Sequence, residues 1–529
     1  MRYIGSRNIA LEDEYMKITK IEACREEIRL YTDADGAVTV TEFAATVGGA
    51  PARVISRTET AAVNGVIALP RNNGEGDRIF SRFSVSGAEG VCYVTDIASD
   101  VPEVTGEYPQ PDTIKTLGAP PKLGARLGIP QGRYDVSLPG IMSTKPTEDT
   151  IPYEHNGKTY YFIESALRGL DAHMKTAPLN TLILLNSPRS FGSTGEKALL
   201  DKVIHPCFDW NYPDAFISAF NTETEEGLGY YGAFVEFLVE RYTRPDGKYG
   251  RAGGAIISNE VNSQYVWGNA GEMTAEDYMR EYTQAMRMAW LCARKHCSWF
   301  RVYISLDHFW TGVNFSASEP LRFYPGRRLL ELLNAYAGAE GDFDWGIAHH
   351  PYPENLRFPD FWNDRVPRFS LNTKKITFKN MEVLEAFLSQ PEYLYRGALR
   401  RVIFSEQGFN SQSGDLQTIT EKQAAAGYVL AYMKARNMKC VDMFTHHACV
   451  DNPHEFGLNL GIFRYDPDAP ECVGEPKPIF ESLMAMDTPD ETAVVEKARA
   501  FIGADLFDYL LNPPKIEGMP EARDVLGNA

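Results

Sequence analysis

Two glutamates stand directly after short runs of apolar residues, where a fold could bring their carboxyl groups together. Glu260 follows the segment 255–258 and Asn259, and Glu406 follows the segment 402–405. A carboxylate in such a place is costly to desolvate unless it is paired or hydrogen-bonded. Two carboxyl groups about 5–5.5 Å apart are what retaining glycoside hydrolysis requires, because one protonates the leaving oxygen while the other attacks the anomeric carbon. The two glutamates are therefore predicted to form a catalytic pair.

The segments around these glutamates predict an α/β fold, a closed (β/α)₈ barrel. From about residue 133, short apolar runs alternate with long amphipathic segments, which is typical of βαβ units and a parallel sheet. Function in such a barrel sits at the carboxyl ends of the strands, so the pair would lie at the barrel mouth after strands four and seven. Eight strands are predicted, at residues 134–138, 181–185, 215–220, 255–258, 302–306, 345–348, 402–405 and 441–445.

The rest of the chain divides into further predicted parts. Alternating apolar and polar runs with turn signals between them, such as Asp35-Gly36 and Asn64-Gly65, predict a β-sandwich-like accessory domain at the N-terminus. This domain would either bind carbohydrate or pack against the barrel. The predicted boundaries are residues 1–110 for the accessory domain, 111–130 for a linker rich in proline and glycine, 131–490 for the barrel, and 491–529 for a helical tail packed on the barrel.

These motifs resemble the signature of the clan A glycoside hydrolases, over roughly residues 130–490. The resemblance implies that Glu260 is the general acid/base, that Asn259 holds the sugar 2-hydroxyl and that Glu406 is the nucleophile. It also implies that Tyr352, which follows the sixth strand, hydrogen-bonds the nucleophile. More closely, the chain is similar to an uncharacterised family of bacterial barrel proteins related to that clan, for which no substrate can be carried over.

Three departures from the clan pattern leave the substrate undecided. Many clan members have a tryptophan after strand eight, but this chain has His446 and His447 there. Many have an arginine at the end of strand two, which Arg189 matches only loosely. The histidine that some members have after strand three is absent, because residues 220–222 read Phe-Asn-Thr. The resemblance therefore extends to the mechanism and not to the sugar.

Histidines and aromatic residues after the predicted strands supply candidate substrate-binding groups. A histidine cluster could bind a metal ion, but neither HExxH nor HxH spacing occurs, so a hydrogen-bonded sugar site without metal or cofactor is favoured. Tryptophan can stack on the apolar face of a sugar ring. The candidates are Asn186, Trp267, His308, Trp310, His349, His350, His446 and His447, with Trp210 and Trp362 also suited to subsites and Trp290, Trp299 and Trp345 predicted to lie in the core.

Composition excludes several other classes of protein. The 529 residues include 53 Lys and Arg against 71 Asp and Glu, a net charge of −18, so a nucleic-acid partner is not expected. No apolar run is long enough to span a bilayer, and the N-terminus has no signal-peptide core, so a cytoplasmic protein is expected unless a leader was removed. The eight cysteines are scattered without metal-ligand spacing, and neither GxSxG nor a phosphate-binding loop occurs.

The sequence therefore predicts a retaining hydrolase of β-linked glycans or glycosides. Two alternatives stay open, a barrel that binds glycans without catalysis and a transglycosylase that uses the same carboxylates. Sugar, linkage, exo or endo action and oligomeric state are undetermined.

Overall fold

The computed structural model describes residues 16–45, 52–86, 90–189, 194–315 and 317–519. The chain forms two compact units, one within residues 1–101 together with 339–341 and the other from most of residues 102–529. No described helix is long and apolar enough to cross a membrane.

The N-terminal unit contains two four-stranded sheets, as the alternating pattern predicts. Within the strand Gly36–Phe43, every second residue from Val38 onward is buried, the pattern of a strand with one face on a core. The buried carboxylate of Glu42 is paired with Arg78 at 3.0 Å. In order across each sheet, the strands are Val66–Pro70, Glu27–Thr32, Ile18–Ala23 and Asp96–Ile97, then Val54–Ala62, Gly36–Phe43, Arg82–Val85 and Cys92–Tyr93.

The second unit is built on a closed barrel of eight parallel strands, which confirms the predicted fold class. Parallel neighbours need crossover connections, and helices supply most of them. The first to eighth barrel strands are Lys115–Leu117, Gln131–Ser137, Leu179–Leu185, Ala252–Ile257, Arg301–Leu306, Trp345–His349, Val402–Gln407 and Val441–His446.

Two of the predicted elements are wrong, and the two errors cancel in the numbering of the later barrel strands. Residues 215–220 form no strand; Ile217 instead packs on the apolar cluster inside the barrel. The predicted linker contains the first barrel strand, Lys115–Leu117, and its three residues between prolines give too short a pattern to detect. The predicted first and second strands are therefore the second and third, while strands four and seven keep their numbers.

Helices and short strands complete the second unit. The short strands are Met142–Ser143, Thr150–His155, Lys158–Ile163, Phe463–Tyr465 and Val473–Pro476. The helices are Pro121–Leu127, Leu138–Ile141, Glu164–Met174, Lys197–Val203, Glu225–Thr243, Gln264–Trp267, Ala275–His296, Gly326–Ala339, Glu382–Leu388, Gln417–Asn437, Pro478–Ala485, Glu491–Ile502 and Ala504–Leu511. The last two lie in the predicted tail, whose residues 520–529 are outside the described part of the chain.

A tyrosine fills the barrel interior between two glycines. Tyr303, on the fifth strand, is 1% exposed and belongs to the interior apolar cluster. A Cβ atom on Gly254 would lie 2.8 Å from its ring, and one on Gly346 would lie 2.6 Å from it. The neighbouring strands therefore need glycine here to make room for the ring.

Replacing Gly346 by Ala should destabilise the barrel. The new methyl group would also lie 2.7 Å from the carbonyl oxygen of Arg401, which cannot move without distorting its strand. Overpacking of this kind costs about 1–3 kcal/mol, which should lower the melting temperature measured by calorimetry. Gly338→Ala is the control, because its Cβ meets nothing within 4 Å and helical alanine should stabilise slightly. Equal melting temperatures for the two variants would contradict the packing argument.

Candidate active site

The backbone around Glu260 is held in an unusual conformation at the barrel mouth. Both Ser258 and Glu260 have positive φ, +65° and +37°, in the left-handed region. This conformation costs a non-glycine residue about 1–2 kcal/mol, so surrounding contacts must maintain it. One such contact is the N–H of Glu260, which donates to Oγ of Ser305 on the fifth strand at 2.9 Å. The turn fixes the direction of the Glu260 side chain.

One buried histidine links the ends of three strands. His350, directly after the sixth strand, has its Nδ1 atom 2.9 Å from Oε1 of Glu260. Its Nε2 atom lies 3.1 Å from Oγ of Ser405, the residue that precedes Glu406. His350 is fully buried and Ser405 likewise, so the link is shielded from water. A path of contacts therefore joins the two glutamates: it runs from Glu260 through the His350 ring to Ser405, which is bonded to Glu406 by a peptide bond.

Glu406 has a different set of partners. Nη2 of Arg133, on the second strand, lies 2.5 Å from its Oε2 atom. The hydroxyl of Tyr352 donates to its Oε1 atom at 3.4 Å. Both Arg133 and Glu406 are largely enclosed, with side chains 11% and 18% exposed. A charge-assisted bond of this length is a strong one.

These partners drive the two carboxyl groups toward opposite protonation states. Burial raises the pKa of Glu260 to about 7; the bond to His350 opposes this, and the charges of Asp307 and Glu406 add to it. Burial also opposes ionisation of Glu406, but the charges of Arg133 and His350 outweigh it and lower that pKa to about 2. Paired carboxyls with separated pKa values are the mark of an acid and an ionised partner.

A second basic side chain, His447, follows the eighth strand directly at the mouth. Nε2 of His447 lies 3.3 Å from Oε1 of Glu455. Burial works against protonation of His447, but the negative charges of Glu406 and Glu455 raise its pKa. The bond to His447 in turn lowers the pKa of Glu455. A histidine hydrogen-bonded to a glutamate thus stands after the eighth strand.

Asn259, next to Glu260 in the chain, has a side-chain oxygen without a hydrogen-bond donor in the described part of the protein. Its Oδ1 atom is buried and accepts no hydrogen bond from the described residues. A buried acceptor without a donor costs free energy, so it is a position for a ligand or a water molecule. The predicted role of Asn259 as a holder of a sugar hydroxyl remains a prediction.

Besides His350, five predicted substrate-binding residues are at most 5% exposed and make polar contacts within the protein. Nε2 of His349 and of His446 each lie about 3 Å from a main-chain carbonyl oxygen. Asn186 donates to two main-chain carbonyls at 2.8 and 2.9 Å. Trp310 donates its indole N–H to another, at 2.9 Å, and His308 contacts the Lys375 amine at 3.0 Å. Each of these contacts commits one polar group of the side chain to the main chain or, for His308, to Lys375.

Trp267 keeps a position suited to stacking. Its half-buried ring packs on Phe216, with ring centroids 5.2 Å apart, above the apolar cluster inside the barrel. Trp210 is 49% exposed, whereas Trp362 is buried. The predicted core tryptophans, Trp290, Trp299 and Trp345, are all buried, which confirms that prediction.

Two groups of side chains in the described part of the chain have the composition of a metal site. In one, His205, Glu223 and Glu281 place ligand atoms within 4.8 Å of one another. However, Nδ1 of His205 accepts the N–H of Cys207, so its Nε2 atom carries the proton and donates to Glu281 at 2.9 Å. In the other group, made of His155, Glu236 and Cys292, the carboxylate already contacts His155, Lys295 and His296. Hydrogen bonds account for the first arrangement, and contacts of the carboxylate with these basic side chains account for the second.

Comparison with known families gives one match over most of the chain. The family described as "Family of unknown function (DUF5722)" matches residues 107–509. The chain belongs to this family. The predicted similarity to an uncharacterised family is therefore confirmed. No curated protein matches the sequence.

Solved structures similar to this member of the family include several glycoside hydrolases. A family 39 glycoside hydrolase from the gut symbiont Bacteroides cellulosilyticus WH2 is 14% identical, with a TM-score of 0.43 over 89% of this chain and 82% of its own. A family 1 β-glucosidase from Thermotoga maritima is 11% identical, with a TM-score of 0.38 over 71% and 85%. A glucosidase from Croceicoccus marinus is 12% identical, with a TM-score of 0.40 over 73% and 68%. These likenesses assign neither substrate nor activity to this chain.

Arg133 is the main site residue that sequence reasoning missed. The predicted first strand began at residue 134, so the arginine fell just outside it, and Arg189 was considered for the clan arginine instead. The pattern of charged residues on this strand is nevertheless visible in the sequence. Arg133 and Asp135 alternate with apolar residues on the second strand, which puts two charged groups on one face of a strand in the barrel.

Replacing Arg133 by Met tests the charge that keeps Glu406 ionised. In the wild type the lowered pKa of Glu406 adds stability that is present above about pH 4 and is lost as the pH falls toward 2. Without the guanidinium, burial dominates and raises that pKa, so the variant loses stability as the pH rises above about 4. We expect the gap in melting temperature between the two proteins to be larger at pH 7 than at pH 4.

The double variant Arg133→Met/Glu406→Gln is the control for this prediction. With no carboxylate left to bury unpaired, it should recover much of the stability lost at pH 7. A gap that is the same at both pH values, or a double variant that is no better than the single one, would contradict the proposed pairing.

Proposed function

We propose that this protein is a retaining glycoside hydrolase that acts on a β-linked glycan or glycoside. The observation that carries the proposal is the pair of carboxyls at the ends of strands four and seven with opposite protonation states, Glu260 with a pKa of about 7 and Glu406 with a pKa of about 2. At neutral pH a substantial fraction of the molecules then holds a proton on one carboxyl and a negative charge on the other. This is the starting state for double displacement.

In the first step an Oε atom of ionised Glu406 attacks the anomeric carbon as the bond from that carbon to the glycosidic oxygen breaks. The electron pair of the broken bond goes to that oxygen, which takes the proton of Glu260 and leaves as an alcohol. In the second step ionised Glu260 removes a proton from water, and the water oxygen displaces Glu406 from the anomeric carbon. The product keeps its anomeric configuration and both carboxyls return to their first state.

The surrounding groups suit this cycle. Tyr352 and Arg133 stabilise the negative charge of Glu406 before attack. Tyr352 contacts Oε1 and Arg133 contacts Oε2, so whichever oxygen bonds carbon, the other keeps a hydrogen-bond donor. His350 and the enclosed position of Glu260 keep its pKa close to neutrality, where proton donation and removal are both feasible. The free Oδ1 atom of Asn259 is available to a sugar hydroxyl.

A silent glycan-binding barrel would not need this arrangement. Loss of catalysis leaves no reason to maintain left-handed backbone at Glu260 or a buried guanidinium against Glu406. Transglycosylation uses the same covalent intermediate and differs only in the acceptor, so it belongs to the same proposal.

Replacing Glu406 by Gln should abolish turnover. The amide is a poor nucleophile, and loss of a group that acts as part of a unit costs about 10³-fold or more in kcat. The assay is a panel of 4-nitrophenyl β-glycosides with neutral and acidic sugars, and the product anomer is read by NMR at early times. Glu481→Gln, at a side chain 65% exposed, is the control and should keep full activity.

A trapping experiment identifies the nucleophile directly. A 2-deoxy-2-fluoro β-glycosyl fluoride should add one sugar mass to the wild type, and peptide mapping should locate the adduct on Glu406. Full activity in Glu406→Gln, an adduct on another residue, or inverted products would each refute the assignment.

Replacing His350 by Ala should move the basic limb of the pH profile. The acid form of Glu260 is needed for the first step, so kcat/KM falls as the pH rises through its pKa, about 7. His350 lowers that pKa, so its loss raises it and shifts the limb to higher pH. His173→Ala, on the helix Glu164–Met174, is the control and should leave the limb in place. A limb that moves to lower pH would count against Glu260 as the acid.

A further inference from the structure

We propose that Asp135 is a substrate-binding residue that accepts hydroxyl hydrogen bonds from the sugar next to Glu406. The inference rests on the proposed function and adds a substrate class to it, neutral sugars as opposed to uronic acids.

The register of the barrel places Asp135 on its inner wall. Asp135 lies on the second strand directly opposite Ile183 of the third, and residues paired in this way point to the same face of a sheet. Ile183 belongs to the apolar cluster inside the barrel. Asp135 therefore faces inward, as does Arg133 two residues earlier.

Exposure shows that this carboxylate lies at the open end of the barrel. Its side chain is 49% exposed, whereas the Arg133 side chain beside it is 11% exposed and Ile183 is 1% exposed. The first barrel strand ends at Leu117, which pairs with His446. The first strand pairs with the second only at Gln131, so no described barrel strand pairs with the second strand beside Asp135 on this side.

Asp135 is also close to the reacting centre. Its Oδ1 atom lies 3.7 Å from Nη2 of Arg133, and the same Nη2 lies 2.5 Å from Oε2 of Glu406. The two carboxylate oxygens are therefore at most about 6 Å apart, because the third side of a triangle cannot exceed the other two together. A sugar ring attacked by Glu406 has hydroxyl groups within reach of such a position.

The oxygens of Asp135 are uncommitted. The 3.7 Å separation from Arg133 is too long for a hydrogen bond, and no described residue donates one to this carboxylate. Arg133 instead makes its short bond to Glu406. An ionised carboxylate accepts hydrogen bonds and donates none, so its natural ligand is a hydroxyl group.

The charge balance of the mouth indicates which sugars fit. The acidic groups are Asp135, Glu406 and Glu455, and the basic groups facing them are Arg133 and His447. Both basic groups already contact a carboxylate. A uronic acid would bring a further negative charge toward Asp135 with no free cation among these groups, whereas a neutral sugar would gain a charge-assisted hydrogen bond.

The test compares Asp135→Asn with the wild type on 4-nitrophenyl β-glucoside, β-galactoside, β-mannoside, β-xyloside and β-glucuronide. We expect KM on the preferred neutral sugar to rise about ten-fold, because the amide is a weaker acceptor than a carboxylate. The preference for that sugar over the glucuronide, as a ratio of kcat/KM values, should fall by at least as much. Asp201→Asn, at an exposed carboxylate on the helix Lys197–Val203, is the control and should change neither value.

Two readouts separate substrate binding from a role in balancing the charge of Arg133. A purely electrostatic role would shift the acidic limb of kcat/KM and leave KM and the sugar preference unchanged, and that result would overturn the proposal. Unchanged kinetics throughout, in a variant with wild-type melting temperature, would also overturn it while leaving the proposed function intact. Failure of the wild type to cleave or be trapped by any β-glycoside would reject the proposed function and this inference with it.

Discussion

The short contact between Arg133 and Glu406 is the interaction on which the site depends. A buried carboxylate is stable only if its charge is compensated, and the guanidinium 2.5 Å away is the largest of the contributions that favour its charged form. The pair joins the second strand to the seventh across the barrel, so it exists only if the barrel closes correctly. Closure in turn requires the short first strand, Lys115–Leu117, which pairs with both the second and the eighth.

Glu260 is also buried, but in its case burial raises the pKa. Its hydrogen-bond partner is His350 and not an arginine, and burial outweighs that bond and raises its pKa to about 7. The left-handed turn at Ser258 and Glu260 directs it toward His350, and Ser305 holds the turn. One barrel thus produces an acid and an anion from identical side chains, because the sixth strand faces one glutamate and the second strand the other.

Sequence reasoning placed the two glutamates at strand ends because short apolar runs between long amphipathic segments mark most barrel strands clearly. It failed where the signal is short or where a polar side chain turns inward. The three-residue first strand has no periodicity to detect, and the apolar run 215–220 resembles a strand although it caps the barrel interior. His349 and His446 stand at strand ends as a sugar site requires, but each has its Nε2 atom against a main-chain carbonyl. Sequence gives the position of such a residue along a strand, and only packing decides whether it faces a ligand.

The end of the eighth strand shows how packing gives two neighbouring histidines different protonation behaviour. Two consecutive histidines, His446 and His447, stand where the clan pattern has a tryptophan, and their pKa values shift in opposite directions. His446 is buried and its pKa is lowered by burial to about 3, so it stays neutral and fastens a loop. His447 is held near Glu406 and Glu455, and their charges raise its pKa. This side of the mouth therefore carries polar, titratable groups, whereas the aromatic rings of Trp267 and Phe216 pack together above the apolar cluster inside the barrel.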